Sequence, residues 1–328
     1  MGSFAIIGAG ISGLACGNAL AAAGHQVSLF DKGRGPGGRM STRRVDTPFG
    51  QASFDHGAQF FTERDADFQR TISALETQGA VGLWQGEFVR FDSKGKQHAL
   101  GDEPRYVGTP GMNGVVRGLA AGLNTTWGMR VSGLSGRKGA WQVHGESGEN
   151  LGLFDQVVCA VPAEQVSDLL APHTPAIAVK AKAVRSLPCW AGLFAFEKPL
   201  KIDWDMARFD AHPVLDVTSA GLNQPGRTGP ASYVVHGHAD WSIAHLEEGA
   251  DQIAALLLKE LAKIAGPLPT PLVLSAHRWR YARVETSHGP GYLYDKDQGI
   301  GACGDWLAGP RVESAWVSGH HLGQALLG

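Results

Sequence analysis

The sequence has only four cysteines in 328 residues, and they are far apart: Cys16, Cys159, Cys189 and Cys303. No two of them form a CxxC pair, so the sequence offers neither a typical zinc site nor a dithiol redox centre. An excess of one charge is also missing, with 29 basic and 31 acidic side chains. Proteins that bind nucleic acid need surplus lysine and arginine to neutralise phosphates, so we expect no nucleic-acid partner.

Charge is absent from the N-terminal segment as well, where the first charged residue is Asp31. No basic stretch precedes the apolar residues 4–24, and glycines interrupt them, so they predict neither a signal peptide nor a membrane span. We therefore expect a soluble, cytoplasmic protein with no membrane partner. With 43% hydrophobic residues and nine tryptophans, a chain of this length has enough apolar material for two packed domains.

A glycine-rich turn, GAGISG at residues 8–13, stands between a predicted strand at residues 4–7 and a predicted helix at residues 12–23. The first glycine permits a tight turn, the second lets a pyrophosphate reach the backbone, and the third lets the helix pack close to the strand. Asp31 ends the next predicted strand, where its carboxylate can accept both hydroxyls of a ribose. This arrangement predicts a dinucleotide site, with the phosphates at the helix N-terminus.

The segment after Asp31, KGRGPGGRM at residues 32–40, distinguishes a site for FAD from a site for NAD. It resembles the acidic residue followed by GGR in flavin amine oxidase-like proteins. A glycine pair lets the loop fold against the pyrophosphate, and Arg39 can pair with its charge. The alternative is a solvated basic loop that binds nothing, and the other arginines of this region are weaker candidates that can simply face water.

A third segment, DHGAQFFT at residues 55–62, resembles a strand that passes close to the flavin in the same proteins. Gly57 and Ala58 are small enough for that approach. His56, which precedes them, is interpreted as a satisfied surface histidine.

A fourth segment, ACGDW at residues 302–306, ends a predicted strand, and a helix is predicted at residues 312–327. In the resembling family the aspartate at this position, here Asp305, bonds the ribityl chain of FAD. The N-terminus of the following helix would stabilise the negative charge that reduction leaves at the pyrimidine edge of the flavin.

Five strings together resemble the bacterial renalase group of the flavin amine oxidase superfamily, at residues 30–44, 54–65, 107–120, 276–284 and 302–316. The resemblance implies an α/β fold (α+β overall), with a Rossmann-like FAD-binding domain and a substrate domain of mixed sheet and helices. We expect the FAD-binding domain at residues 1–62, 109–166 and 275–328, and the substrate domain at residues 63–108 and 167–274. Proline clusters at residues 172–175 and 267–271 are candidate seams between them.

The resemblance also implies non-covalent FAD, and no cysteine lies in an obvious flavin-linking motif. Bacterial members of the group oxidise the 2- and 6-dihydro isomers of NAD(P)H to NAD(P)+ and pass the electrons to O2, giving hydrogen peroxide. A dihydropyridine is already a hydride donor, so the protein need only hold it against flavin N5 and exclude water. The predicted cofactor-binding residues are Gly8, Gly10, Ile11, Ser12, Gly13, Asp31, Lys32, Arg39, Met40, Gly57, Ala58, Gln59, Val131, Gly304, Asp305, Arg311, Val312, Glu313 and Ala315.

On the substrate side, the predicted catalytic residues are His236, Trp279 and Tyr281. Any single aromatic residue there is also explained as part of a core. Arg278 and Arg283 can meet a substrate phosphate or simply face solvent.

Two alternatives stay open at this point. An amine oxidase needs an aromatic cage and commonly a lysine near flavin N5, and Lys180, Lys182 and Lys198 cannot be assigned to that position from the sequence. A flavoprotein with a binding role and no turnover would carry the same FAD motifs. The small-molecule substrate is thus either a dihydronicotinamide dinucleotide or an amine, with O2 as the second substrate.

Overall fold

The structure, a computed structural model, describes residues 1–287 and 289–328. The helices in these ranges are α1 (Ile11–Ala22), α2 (Ala66–Thr77), α3 (Asn113–Ala120), α4 (Ala163–Leu170), α5 (Pro175–Lys182), α6 (Ala239–Ala244), α7 (Ala250–Ala265), α8 (Asp305–Ala308) and α9 (Val312–Leu326). None of these helices is both long and apolar enough to cross a membrane. A short 3-10 turn covers Gly38–Met40.

The strands, in chain order, are β1 (Ser3–Ile7), β2 (Gln26–Asp31), β3 (Thr42–Thr47), β4 (Gly50–Asp55), β5 (Val81–Leu83), β6 (Phe88–Phe91), β7 (Gln97–Ala99), β8 (Tyr106–Gly108), β9 (Asn124–Trp127), β10 (Val131–Arg137), β11 (Ala140–Gly145), β12 (Asn150–Phe154), β13 (Gln156–Cys159), β14 (Ser186–Phe196), β15 (Met206–Phe209), β16 (Leu215–Ala220), β17 (Ala231–Gly237), β18 (Val273–Val284), β19 (Tyr292–Asp295) and β20 (Ile300–Cys303).

The first sheet has six strands in the order β19-β20-β13-β1-β2-β9, and all its pairs are parallel except β19 with β20. The apolar side chains of β1 are buried because β13 and β2 flank it and helices cover the sheet. The last helix, α9, packs closely on α1 because Gly319 has no side chain where the Ser12 carbonyl oxygen lies. The N-terminal helix α1 and the C-terminal helix α9 therefore lie side by side.

The second sheet has seven strands in the order β18-β14-β17-β16-β15-β6-β7, and it is antiparallel except for the pair β15 and β6. Its long central strands are apolar, and α7 packs the buried side chains of Leu257 and Leu261 against one face. Three smaller sheets complete the fold, formed by β10-β11-β12, β3-β4 and β5-β8. The predicted fold class, a Rossmann-like unit joined to a mixed sheet with helices, is confirmed.

Helices α5, α6 and α8 were not among the predicted elements. Helix α5 begins at Pro175, inside one of the proline clusters interpreted as a seam. Proline is compatible with the first helical position because its missing N–H would have no partner there. Helix α6 is only six residues long, too short to show an apolar period. The predicted domain limits stay a prediction; the limit at residue 275 falls inside β18, which pairs with β14 in the second sheet.

Candidate active site

A cavity of about 300 Å³ opens where the glycine-rich elements meet the second sheet. Nine segments supply its wall, and most of them lie at the ends of strands or helices. The lining residues are Ile11, Arg39, Met40, Gly57, Ala58, Gln59, Phe60, Leu187, Pro188, Cys189, Asp216, Val217, His236, Gly237, Ala239, Trp279, Ala282, Arg283, Asp305, Pro310, Arg311, Val312 and Ala315. Many of the residues predicted for the flavin and the substrate are therefore brought together.

The three glycines of the first turn occupy three different environments. Gly8 has φ +102°, and a Cβ there would lie 2.5 Å from the Ala160 carbonyl oxygen. A Cβ on Gly13 would clash with the carbonyl oxygen of Gly8. A Cβ on Gly10, in contrast, would meet no atom within 4 Å, and no side chain caps α1 at this residue. There is thus room beside Gly10 at the uncapped start of α1, which fits a pyrophosphate.

Asp31 ends β2 at the edge of the sheet where β1 also ends. One of its carboxylate oxygens accepts from the Ala9 N–H at 2.7 Å, and the other accepts from the Gly33 N–H at 2.7 Å. Each oxygen keeps capacity for a further hydrogen bond, so the held carboxylate fits a ribose.

Lys32 donates to the Gln165 side chain at 3.0 Å and lines a second cavity of about 560 Å³. Burial and the nearby charge of Arg130 lower the pKa of Lys32. Val131, another predicted cofactor residue, begins β10 immediately after Arg130.

The turn at Gly38–Met40 is fastened to the segment that follows β4. The carbonyl oxygen of Arg39 accepts from the Ala58 N–H at 2.8 Å, and a Cβ on Gly57 would clash with that carbonyl. The Arg39 side chain reaches Asp305 and donates to both carboxylate oxygens at 2.6 Å. The structure therefore joins three predicted flavin-binding segments at one point. The pairing of Arg39 with a pyrophosphate stays a prediction, since its terminal nitrogens contact Asp305 here.

The backbone carbonyl of His56 holds two aromatic side chains of the cavity. It accepts from the indole N–H of Trp279 at 2.8 Å and lies 3.1 Å from Nε2 of His236. A carbonyl can only accept, so Nε2 of His236 is the donor in this contact. Burial lowers the pKa of His236, so its ring is neutral near pH 7.

The interpretation of His56 as a surface histidine is wrong, because its side chain is 5% exposed. Its ring stacks on Trp279 with centroids 5.1 Å apart and meets the edge of His277 at 4.6 Å. Burial first, and then the charge of His277, lower the pKa of His56 to about 4. The sequence could not show this, because the partners of His56 lie on a strand more than 200 residues away.

Tyr281 and Glu313 are among the predicted residues that do not line the cavity. Tyr281 is 37% exposed, although it lies two residues after Trp279 on the same strand. Between the pairs Leu187–Arg283 and Cys189–Trp279, β18 has two more residues than β14, and this bulge breaks the alternation of faces. Glu313 is buried elsewhere, where its carboxylate accepts from the backbone N–H groups of Arg64 and Asp65 at 2.5 and 2.7 Å.

Other predicted residues divide between the cavity and its surroundings. Arg278 binds the Leu246 carbonyl and Glu247 outside the cavity, whereas Arg283 lines it. The candidate lysines Lys180, Lys182 and Lys198 are all exposed and do not line it. Gly304 has φ +152°, and its N–H donates to the Ser318 hydroxyl at 2.8 Å behind Asp305.

Asp216 and Cys189 line the cavity and were not predicted. Asp216 is the extra residue of a second register shift, between Leu215 and Val217 where β16 pairs with β17. The sequence held one signal for the first bulge, Pro188, which cannot donate to a sheet ladder. It held none for the second.

Two protein-family models match this chain. The model of the NAD(P)-binding Rossmann-like domain family matches residues 6–75, and that of the flavin containing amine oxidoreductase family matches residues 80–321. This chain is 52% identical to a 4,4'-diapophytoene desaturase of Staphylococcus haemolyticus over residues that make up 13% of the chain. That match spans only 8% of the desaturase.

Two solved structures share the fold over nearly their whole length. Cyclohexylamine oxidase from Brevibacterium oxydans superposes with a TM-score of 0.78 at 12% identity, covering 99% of this chain and 98% of that one. A putrescine oxidase bound to putrescine gives a TM-score of 0.73 at 15% identity, covering 99% of both chains. Because the second family model covers well over half of the sequence, the chain belongs to the flavin containing amine oxidoreductase family.

Proposed function

We propose that this protein is an FAD-dependent oxidase that converts 2- or 6-dihydro-NAD(P) to NAD(P)+ and reduces O2 to hydrogen peroxide. The observation that carries the proposal is the pair of flat rings, Trp279 and His236, that one backbone carbonyl fixes on the cavity wall. Flat rings suit a dihydropyridine, which must lie in one orientation to give up its hydride.

The residues around the first glycine turn fit non-covalent FAD. The open space at Gly10 and the uncapped start of α1 would receive the pyrophosphate, and Asp31 would hold the ribose. Gly57 and Ala58 would face the flavin ring, near the ion pair of Arg39 and Asp305. A bound flavin would supply the acceptor for the hydride and the means of passing its two electrons to O2.

The protein's own part in this reaction is to orient the donor and exclude water. The neutral His236 ring donates through Nε2 to the His56 carbonyl, and no general base is needed because a dihydropyridine gives up a hydride directly. The His56 ring stacks on Trp279, and the indole N–H of Trp279 donates to the His56 carbonyl, so both contacts hold the Trp279 ring in place. A preorganised wall of this kind lowers the entropic cost of aligning the donor carbon with flavin N5.

The second candidate is an amine oxidase, which the family and the two solved structures favour. Asp216 offers this reaction a carboxylate for an ammonium group. Against it, the described residues that line the cavity include no lysine, and their cationic side chains are arginines. An amine that enters as a cation would be repelled by these arginines.

An anaerobic stopped-flow experiment tests the proposal. Purified protein is mixed with 2-dihydro-NAD, 6-dihydro-NAD, ordinary NADH, cyclohexylamine and putrescine, and flavin absorbance is followed. We expect fast bleaching by the two dihydro isomers only. Bleaching by an amine but not by the isomers would establish the second candidate, and no bleaching by any of them would favour a flavoprotein without turnover. A protein with no flavin spectrum and no affinity for added FAD contradicts all three.

A further inference from the structure

Asp216 and Arg283 face the same cavity from different strands of the second sheet. Nη1 of Arg283 is 4.0 Å from Oδ2 of Asp216, beyond hydrogen-bonding distance, so neither group is satisfied by the other. Both side chains are partly exposed, the carboxylate less than the guanidinium. An acceptor and a donor of opposite charge are thus held side by side at the cavity.

Two separate β-bulges of the second sheet place Asp216 and Arg283 at the cavity. Asp216 is the extra residue of the bulge in β16, opposite Gly237 and His236 of β17. Arg283 follows the bulge in β18, where the ladder resumes opposite Leu187. Bulges are over-represented beside active sites because they re-aim a side chain, and here two of them direct opposite charges to one wall.

The chemistry of the pair selects among three substituents on a ring. A carboxylate would gain from Arg283 and be repelled by Asp216, and an ammonium group would gain from Asp216 and be repelled by Arg283. A neutral primary amide suits both, because its N–H donates to the carboxylate and its oxygen accepts from the guanidinium. The spacing of the two groups lets one amide contact both.

We infer that Asp216 and Arg283 are specificity-determining residues that bind the carboxamide of a nicotinamide ring, Asp216 at the amide nitrogen and Arg283 at the amide oxygen. This inference rests on the proposed function for the identity of the ring. It extends that function by naming the substituent that the cavity selects.

Binding without turnover tests the pair. The oxidised, flavin-loaded protein is titrated with NAD+, 3-acetylpyridine adenine dinucleotide and nicotinic acid adenine dinucleotide, and Kd is read from the change in the flavin spectrum. These probes differ only in the ring substituent. We expect the wild-type protein to bind NAD+ roughly tenfold or more tightly than either analogue, the effect of one hydrogen bond to a charged group.

The variants separate the two roles. Asp216→Leu should bring NAD+ and the acetyl analogue within about threefold of each other and improve the relative affinity for the nicotinic acid analogue. Arg283→Met should weaken NAD+ and the acetyl analogue alike, since both offer a carbonyl oxygen. Arg90→Met and Asp210→Leu are the matched controls, an ion pair at 2.9 Å on the same sheet away from the cavity, and should leave all three Kd values unchanged. Asp216→Ser replaces Asp216→Leu if the latter does not retain flavin.

The failures are distinguishable. Wild-type protein that does not bind NAD+ at millimolar concentration, or that binds NAD+ and the acetyl analogue within about threefold, overturns the carboxamide pair. So do variants that keep the wild-type preference. A wild-type protein with the expected preference whose flavin is not reduced by either dihydro isomer supports the pair and overturns the proposed function.

Discussion

The guanidinium of Arg39 and the carboxylate of Asp305 form a two-point ion pair, with both nitrogen–oxygen distances at 2.6 Å. The pair joins the turn after β2 to the start of α8, so segments from opposite ends of the chain are held together at the cavity. Two parallel hydrogen bonds between charged groups fix orientation as well as distance. The pair therefore sets the position of both side chains toward a cofactor.

Asp305→Ala should weaken FAD binding. The change removes a charged acceptor from the cavity and leaves Arg39 without its partner, and a hydrogen bond to a charged group contributes about 1.5–3 kcal/mol. Titration of the deflavinated protein, followed by quenching of FAD fluorescence, measures the affinity. Asp210→Ala, in a surface ion pair, is the control. An unchanged affinity in Asp305→Ala would remove Asp305 from the cofactor site.

Gly10→Ala should lower FAD affinity with little effect on stability, whereas Gly13→Ala should lower stability. At Gly10 the backbone (φ −74°, ψ 179°) is open to any residue and the added Cβ meets nothing, so the free energy of unfolding without cofactor should change by less than about 0.5 kcal/mol. The same methyl would occupy the space proposed for the pyrophosphate and lower FAD affinity roughly tenfold or more. At Gly13 the Cβ clashes with the Gly8 carbonyl, and the loss of stability should be about 1–3 kcal/mol.

Urea unfolding of the two deflavinated variants and FAD titration measure these effects. Normal FAD affinity in Gly10→Ala, in a protein as stable as the wild type, would show that no phosphate approaches the backbone at this residue.

Arg227→Met should be strongly destabilising. The Arg227 side chain forms a buried ion pair with Asp55, with exposed fractions of 4% and 5%, and donates to the Gly108 and Pro225 carbonyls. Removing one partner leaves a buried charge uncompensated, at a cost of about 3–5 kcal/mol. The exposed pair of Arg280 and Glu247 provides the comparison, and Arg280→Met should cost much less stability than Arg227→Met. Equal midpoints of urea unfolding for the two variants would contradict the burial of the first pair.

His56 should make the protein less stable in mild acid. Its pKa is about 4 in the folded protein, against an ordinary value of 6.5, because burial opposes its charge. Below pH 6.5 the unfolded chain takes up a proton that the folded chain refuses, so stability falls as the pH falls and stops falling near pH 4. Between about pH 7.5 and pH 5 this residue should account for a loss of about 2 kcal/mol.

The variant His56→Gln keeps the backbone carbonyl that holds Trp279 and removes the titrating ring. Urea unfolding at both pH values should show a smaller loss for the variant than for the wild-type protein, by about 2 kcal/mol. An equal loss in the two proteins would assign the acid sensitivity to other buried histidines such as His236 or His277, whose pKa values burial also lowers.

The residues whose role depends on local geometry could be predicted from the sequence. A strand, three glycines and a helix in fixed order determine the turn at residues 8–13, because the spacing of the glycines and the helix N-terminus are properties of a short stretch of chain. The same holds for Asp31 at the end of its strand. The family followed from these motifs, and the family models confirm it at the level of a flavin containing amine oxidoreductase.

The residues whose role depends on how distant strands pair could not be predicted. Tyr281 shares the spacing of a strand with Trp279, but a bulge moves it out of the cavity. Asp216 enters through another bulge, and nothing in its neighbours signals one.

By itself, the sequence indicated a dinucleotide turn and a flavin cofactor, and it predicted one domain built from both ends of the chain. Only the tertiary structure decided that Arg39 reaches Asp305, that His56 is buried behind Trp279, and that Asp216 and Arg283 share a wall. The physical reason is the range of the interactions. A turn is fixed by dihedral preferences of adjacent residues, whereas strand register is fixed by side-chain packing between segments far apart in the chain.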